Sequence, residues 1–225
     1  MRSCVARVKK ECSFYPRPMP RVTEEHRERR RRQILDAARR CFARQGFHQT
    51  SMSDLLAESG LSAGAFYGYY RSKSELVAAV ADDAVGGVLG LITPLAHRDP
   101  PLPVRDFVRE ALRATDAYAF GPDGVARLAP QVWSEAVRDP VVAAALETRY
   151  RQVIDVVAEV VRHDQVAGRI DEQADAAEVA AVLLSTIMGY LLQRLLFASV
   201  DADPYAAALA AITGARGGPG TGAVR

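Results

Sequence analysis

Two serine-led motifs lie close together in this chain, and both could cap the first turn of a helix. Ser51-Met52-Ser53-Asp54 and Ser72-Lys73-Ser74-Glu75 have the form of a capping box, in which a hydroxyl and a carboxylate satisfy free backbone amides. Between them, Gly60 can end a helix in the left-handed conformation, and Ser62 can cap the next helix. A helix, a glycine turn and a short second helix form the arrangement that places a recognition helix in the DNA major groove. The local pattern therefore predicts DNA binding.

The residues that could support catalysis or metal binding are not arranged for either. Four histidines are scattered without ligand spacing: His26, His48, His97 and His163. No glycine-rich phosphate loop follows a strand-like segment, and no nucleophile is paired with a base. Of the three cysteines, Cys41 falls on an apolar helix face, while a redox role for Cys4 and Cys12 stays a minor alternative. We therefore expect no enzyme, no metal and no cofactor.

Charge is distributed unevenly along the 225 residues. Residues 1–80 hold 16 Lys/Arg and 8 Asp/Glu, whereas residues 81–225 hold 13 and 19. A basic first third and an acidic remainder suggest a polyanion-binding head on a body that does not touch the polyanion. The N-terminus lacks the apolar stretch of a signal peptide, so we expect a cytoplasmic protein.

The elements that must position these motifs are predicted to be helices throughout. Residues 1–22 are basic and proline-containing, and are either a disordered arm that contacts DNA or a disordered leader. A first helix is expected from near Thr23 to Gly46, with a buried face on Ile34, Leu35, Ala38, Cys41 and Phe42.

A further helix is predicted from Ser74 to Thr93, where Pro94 removes an amide donor before a proline-rich linker at 99–103. Helical patterns follow at about 104–120, 126–138, 140–167, 174–198 and 204–213. Asp139-Pro140 and Asp203-Pro204 are typical of a cap followed by a first-turn proline, and Gly168 is a predicted C-terminal cap. The glycine-rich residues 214–225 are expected to be disordered.

The residues around the capping motifs resemble a known family. The run from Ile34 to Phe47, then Thr50-Ser51, then Gly64 to Leu76, is similar to the DNA-binding domain of the TetR family of bacterial repressors. The likeness covers roughly residues 24–80. It implies an all-α fold of about nine helices: a three-helix helix-turn-helix domain over 23–80, and a helical effector-binding and dimerisation domain over 81–213.

The resemblance also implies which residues meet double-stranded DNA. Tyr67 and Tyr69 correspond to the aromatic pair at the DNA, Lys73 to a phosphate-contacting lysine, and Thr50 and Ser51 to hydroxyls that cap a helix and donate to phosphate. The groove-facing start of the recognition helix is Ser62, Ala63, Gly64 and Ala65, which offers few base contacts, so specificity is expected to depend on Tyr67, backbone amides and DNA shape. Arg29 and Arg30 beside this unit are expected to contact phosphates rather than only solvent. Packing alone remains the alternative for both tyrosines.

The segment 179–193 has no charged residue, is shorter than a membrane span and ends at Arg194. A helix that is apolar all round must be covered on every side. In the resembling family such helices pair across a two-fold axis, which implies a homodimer binding a palindromic operator, with interface residues Leu184, Met188, Leu191 and Leu195. A central helix in a monomeric bundle is the alternative.

The family's second domain encloses an effector pocket, usually apolar with a few polar groups. The residues of this chain that we expect to line it are aromatic or methionine: Phe107, Tyr118, Phe120, Trp133, Tyr150 and Met188. Ordinary core packing is the alternative for each. The leading hypothesis is a repressor that a small molecule releases from DNA. One alternative is an effector-free architectural DNA-binding protein, which would lack a closed cavity. Another is a helical interaction module or enzyme, which would have lost DNA binding.

Overall fold

The structure is a computed structural model that describes residues 23–121, 124–197 and 199–213. This part of the chain contains nine α-helices and no strand, which confirms the all-α prediction. In chain order the helices are α1 (Glu24–Gln49), α2 (Met52–Ser59), α3 (Ala63–Tyr67), α4 (Lys73–Ala96), α5 (Val104–Phe120), α6 (Ala129–Ala136), α7 (Pro140–Val166), α8 (Ala176–Leu196) and α9 (Ala202–Thr213). A single 3₁₀ turn, Ala126–Leu128, precedes α6. The predicted basic arm and glycine-rich tail lie outside the described residues.

The helix boundaries in the head follow from local capping. Thr23 accepts a hydrogen bond from the amide of His26 at the start of α1, and Ser51 forms the reciprocal capping box with Asp54. Gly60 adopts φ 66°, ψ 15° after α2, a conformation that glycine enters without steric cost. Ser62 accepts from the amide of Ala65 and so starts α3. These four predictions are confirmed.

The apolar face of α1 is fully buried. Ile34, Leu35, Ala38, Cys41 and Phe42 each have at most 2 % of their surface exposed. They pack with Leu55 of α2 and Phe66 of α3, so one core holds the first three helices together.

The predicted ends of two elements need correction. α1 bends at Gly46, where φ is 77° and ψ 169°, but continues through Gln49 because Phe47 remains packed in the core. α4 does not stop at Thr93 but passes through Pro94 to Ala96. A proline in a helix removes only one amide donor, and helix packing on both sides of it can offset that loss.

α4 joins the two halves of the molecule. Its first half contributes Leu76, Val77 and Val80 to the core of the head. Its second half contributes Ile92 and Ala96 to a separate core formed with α5, α7, α8 and α9. A movement of α4 therefore affects both cores, and α6 and the start of α7 also pack against the head through their own apolar residues.

Two proline signatures in the second half have different outcomes. Asp139 accepts from the amide of Val141 and caps α7, with Pro140 in its first turn, as predicted. Asp203 does not cap α9, which already begins at Ala202, and its carboxylate instead pairs with Arg113 of α5. The prediction that Asp203 caps the helix is therefore wrong, because its carboxylate forms an ion pair with a residue of another helix.

α4 and α8 are each long and apolar enough to cross a membrane, judged by length and composition alone. The shortness of the uncharged segment 179–193 therefore does not exclude a span by itself. Core helices of water-soluble proteins have the same character, and both helices pack against α7 here.

Candidate functional site

The predicted DNA-facing surface lies at the start of α3. Ser62, Ala63, Gly64 and Ala65 are all exposed, whereas Phe66 and Tyr70 are buried in the core of the head. Tyr67 is 43 % exposed beside them, and its ring meets the edge of Phe66. Tyr69 is partly buried and packs against the core. The surface is therefore a small-residue helix start with one projecting phenol.

α3 is only five residues long, and Gly68 is its C-terminal cap. A glycine in the middle of a helix is unfavourable, but Gly68 lies at the C-terminal cap, where that penalty does not apply. A Cβ at Gly68 would lie 3.3 Å from the carbonyl oxygen of Gly64, so the absence of a side chain relaxes this tight end.

The two hydroxyls before α2 have separate roles. Ser51 is exposed and caps the helix. Thr50 is 1 % exposed, and its hydroxyl donates to the carbonyl of Gly46 at 2.7 Å. The expectation that Thr50 caps α2 is wrong, because its side chain closes the bend of α1 instead, and burial also holds this hydroxyl away from a phosphate.

Lys73 is held by the head itself. Its ammonium group donates to the backbone carbonyl of Phe47 at 2.9 Å and lies 3.5 Å from that of His48. Ser72 caps α4 by accepting from the amide of Glu75, while the Glu75 carboxylate accepts from the amide of Arg71 rather than from Ser72. The lysine thus joins the end of α1 to the start of α4, and its positive charge stays at the N-terminus of that helix.

The two predicted arginines differ in their surroundings. Arg29 is exposed, and Arg30 is half-buried with its guanidinium donating to Gln33 at 2.9 Å. Gln33 in turn donates to the backbone carbonyl of Ser59 at 2.8 Å, so Arg30 is connected to the end of α2.

A cavity of about 100 Å³ lies between α4, α5, α6, α7 and α8. Of the described residues that border it, none is charged, and most are Val, Leu, Ile or Ala. Four of the six predicted ligand-contacting residues lie in its wall: Tyr118, Trp133, Tyr150 and Met188. The cavity is thus the feature that brings these separated aromatic residues together.

The other two predicted residues, Phe107 and Phe120, do not border the cavity. Phe107 is 1 % exposed and belongs to the second core, about two helical turns before the part of α5 that faces the cavity. Phe120 lies under the guanidinium of Arg194, which is 5.3 Å from the ring centroid. Sequence spacing did not separate these faces because all three aromatic residues of α5 fit an apolar pattern.

The polar groups of the cavity wall are neutral. The indole nitrogen of Trp133 donates to the Tyr150 hydroxyl at 2.7 Å. Burial raises the pKa of the Tyr150 phenol, and burial likewise raises the pKa of the Tyr118 phenol. Both tyrosines therefore stay protonated at neutral pH, and the cavity presents no fixed charge.

Tyr118 connects the cavity with the head. The guanidinium of Arg39, on α1, lies close enough to the Tyr118 phenol to oppose the rise in its pKa that burial causes. Arg39 also forms an ion pair with Asp83 of α4. Gly87 permits this arrangement, because a Cβ there would overlap the Tyr118 hydroxyl. Sequence reasoning missed Arg39 and Gly87, since neither type carries a signal until α5 is placed against α4.

A second connection runs through α6. The side-chain oxygen of Gln131 accepts from the backbone amide of Phe47 at 3.1 Å, at the bend of α1. Gln131 lies in α6 between Ala129 and Val132, which both border the cavity. The same bend is bonded to Lys73, so the cavity wall, α1 and the start of α4 are linked by adjacent contacts.

α8 presents two apolar faces. Leu184, Met188 and Leu191 border the cavity, and Leu195 is partly buried. The opposite face carries Val182, Leu192 and Leu196, which are 65 %, 39 % and 65 % exposed. Leu184, Met188 and Leu191 thus have a place within the chain, at the cavity, and their predicted contact with a partner stays a prediction.

Comparison with known proteins supports the same interpretation of the head. Residues 34–80 match the family of bacterial regulatory proteins described as the tetR family. Over 163 residues the chain is 28 % identical to the HTH-type transcriptional regulator UidR of Escherichia coli (strain K12), covering 72 % of this chain and 79 % of UidR.

Solved structures extend the similarity to the second half. The chain is similar to Salmonella enterica GusR, with a TM-score of 0.68 and 25 % identity, covering 85 % of this chain and 96 % of that one. It also has the fold of SmeT in its complex with triclosan, with a TM-score of 0.65 and 22 % identity, covering 88 % and 98 %. The fold and the helix-turn-helix surface define a transcriptional regulator rather than an enzyme. Residues 34–80 thus carry the domain that defines the tetR family of bacterial regulatory proteins.

Proposed function

We propose that this protein is a homodimeric, cytoplasmic repressor whose affinity for a palindromic operator falls when a small molecule enters the cavity. The observation that carries the proposal is the position of the cavity: its wall includes Tyr118 and α6, which contact α1 of the head directly. The triclosan complex of SmeT, a repressor of a multidrug efflux pump in Stenotrophomonas maltophilia, supports an effector role for the equivalent half of this fold.

The DNA-contacting surface in this proposal is the exposed start of α3 together with Tyr67. Backbone amides and small side chains allow close approach to the groove floor, and the Tyr67 phenol is free to meet a phosphate or a thymine methyl group. Arg29, Ser51 and Lys73 contribute to phosphate binding at the edge of this surface. Tyr69 contributes less, because much of its ring is packed against the core.

A ligand can lower operator affinity only if it binds the DNA-competent and incompetent states with different affinity. An occupant of the cavity presses on Tyr118 and on α6, and both contact the bent end of α1. Lys73 connects that bend to α4, whose first half lies in the core of the head. Binding of a ligand in the cavity would thereby change the spacing of the two heads in a dimer.

The dimer in this proposal uses the outer face of α8. Only 17 % of the most apolar stretch of α8 is buried within one chain, and Val182, Leu192 and Leu196 lie on the uncovered side. An exposed apolar face of this length is typical of a subunit interface, and a two-fold axis would pair it with itself. Two heads would then address the two halves of a palindromic site.

The test begins with duplexes selected by the full-length protein from a random-sequence library. Wild type and the variant Tyr67→Ala are compared on the selected palindrome, with Val137→Ala as a control because Val137, the C-terminal cap of α6, is 87 % exposed and lies outside the helix-turn-helix unit. Loss of affinity in Tyr67→Ala alone is expected. Equal affinity for all three proteins would move the DNA surface elsewhere.

Release is then tested by titrating triclosan and smaller uncharged aromatic compounds into the protein–DNA complex. The expected result is dissociation at the concentrations that change the emission of Trp133, the single tryptophan. Compounds that occupy the cavity without releasing DNA would favour the effector-free architectural protein. A wild-type chain that binds no duplex would favour an interaction module.

A further inference from the structure

Thr115 is the only residue with an aliphatic hydroxyl among the described residues that border the cavity, and this hydroxyl has no partner. The side chain is 1 % exposed, and its Oγ1 atom makes no hydrogen bond within the described structure. A buried hydroxyl without a partner loses its hydration and gains nothing in return, so such groups are rare and call for an explanation.

The usual solution for a helical threonine is available elsewhere in this chain. A hydroxyl in a helix can donate to the carbonyl oxygen four residues earlier. Thr93 does so to Leu89 at 2.7 Å, and Thr148 does so to Ala144 at 2.8 Å; Ser185 and Thr186 of α8 follow the same rule. Thr115 does not use its own i−4 carbonyl, although its helix is regular through this position. Thr115 is thus a residue of the cavity wall that departs from this rule and leaves its hydroxyl without a partner in the described structure.

The rest of the wall determines what could pair with it. No charged side chain borders the cavity among the described residues, so a carboxylate or an ammonium ion would be buried without a counter-charge. The volume of about 100 Å³ suits a compound of about one ring, since apolar cavities of this order bind benzene-sized molecules. An uncharged ring with a single oxygen satisfies all three conditions of charge, size and hydrogen bonding.

We infer that Thr115 is the specificity-determining polar contact of this cavity, and that its ligand is an uncharged, one-ring-sized compound whose single hydroxyl or carbonyl oxygen pairs with the Thr115 hydroxyl. This inference rests on the proposed effector function, because it names the chemical class of ligand for that same cavity. It adds a discrimination that apolar packing cannot supply: a site with a buried hydroxyl disfavours an analogue that lacks the matching oxygen.

The test uses phenol and toluene, which differ by a hydroxyl in place of a methyl group. It uses wild type and Thr115→Val, which differ by the same exchange. Affinities are read from the emission of Trp133, which lies in the cavity wall. The toluene-to-phenol ratio of dissociation constants should be about 5- to 10-fold larger in wild type than in the variant, because one net hydrogen bond is formed only when both hydroxyls are present.

Three controls isolate the hydroxyl. Thr93→Val removes a hydroxyl that already has a partner outside the cavity, so it should leave the ratio unchanged. Thr115→Ser keeps the hydroxyl and should keep the wild-type ratio. If Thr115→Val does not fold, the ratios of Thr115→Ser and Thr115→Ala are compared instead, because these two variants also differ by the hydroxyl. Benzoate and benzylamine should bind at least tenfold more weakly than phenol, because each carries a charge. Without ligand, Thr115→Val should melt no lower than wild type, because it removes an unpaired buried group.

An unchanged toluene-to-phenol ratio in Thr115→Val would overturn the assignment of Thr115, while leaving an effector cavity intact. Tighter binding of benzoate than of phenol would overturn the ligand class. If the ratio behaves as expected but phenol binding never weakens operator affinity, the ligand contact stands and the proposed repressor release fails. Absence of any binding by wild type up to the solubility of both compounds would overturn both.

Discussion

Replacing Gly87 with alanine tests whether Tyr118 really lies against α4 and reaches the head. A Cβ at Gly87 would overlap the Tyr118 hydroxyl and stand 2.5 Å from the Cζ atom of its ring. Carbon atoms in contact are normally about 3.5–4.0 Å apart, so the ring must shift by about 1 Å or α4 must move away from α5. Either change disturbs the cavity wall and the position of Arg39.

The cost follows from the size of this overlap. Adding a methyl group to a well-packed site usually destabilises a protein by about 1–3 kcal/mol. Alanine is favoured over glycine in a helix by about 0.5–1 kcal/mol, which offsets only part of that cost. For a chain of this length each kcal/mol corresponds to about 2–4 °C in melting temperature. Gly87→Ala should therefore melt a few degrees below wild type, and its cavity should bind phenol more weakly.

The same helix supplies matched controls. A Cβ at Gly90 would meet no atom within 4 Å, and one at Gly86 would lie 3.7 Å from the Arg149 guanidinium carbon, an ordinary contact. Gly90→Ala and Gly86→Ala should therefore raise the melting temperature by a degree or more, because helix propensity acts alone. Thermal unfolding followed by circular dichroism measures all three. If Gly87→Ala is as stable as Gly90→Ala, Tyr118 does not occupy the gap over Gly87 and the connection to Arg39 is wrong.

Three further predictions concern the head and the dimer. Lys73→Ala should weaken binding to all duplexes alike and reduce the slope of log affinity against log salt by about one, because it removes a phosphate contact. It should also lower the unfolding free energy by about 1 kcal/mol, because it removes bonds to the end of α1. Lys73→Arg is the control, and an unchanged salt slope would contradict the phosphate contact. Leu192→Glu should give a monomer in sedimentation, whereas Val137→Glu should not, and a dimeric Leu192→Glu would move the interface from the outer face of α8. The hydrogen bonds from Arg40 and Arg44 lower the pKa of Glu58, so this link between α1 and α2 stabilises the head at pH values above the ordinary glutamate pKa and is lost as pH falls through the lowered pKa. Glu58→Gln should therefore make the melting temperature less dependent on pH in the acid range. An unchanged pH dependence would show that the link does not contribute to stability.

Local chemistry alone predicted much of the head. The caps at Thr23, Ser51, Gly60 and Ser62 depend on residues within three or four positions, so sequence spacing specifies them completely. The buried face of α1 follows from helical periodicity in the same way, and α5 begins and ends at the predicted residues. Resemblance added the arrangement of the three helices, which periodicity by itself does not give.

Interactions between distant residues account for the differences. Pro94 was expected to end α4, but packing on both sides outweighs one lost hydrogen bond. The position of Thr50 in the sequence suggested a helix cap, yet its hydroxyl donates to the carbonyl of Gly46 at the bend of α1, and the same bend also accepts from the ammonium group of Lys73. Asp203 is drawn to Arg113 instead of capping its own helix.

The division is clearest in α8. Its sequence determined that the helix is apolar on every side and therefore needs two partners, because water cannot cover such a surface without a large cost. Which side meets which partner depends on the rotation of α8 about its own axis, and the uncharged segment 179–193 contains little signal for that angle. Only packing against α7 and α5 turned Met188 into the cavity and left Leu192 outside. The unpaired hydroxyl of Thr115 is likewise invisible in the sequence, since a partner is absent only when every neighbouring helix is in place.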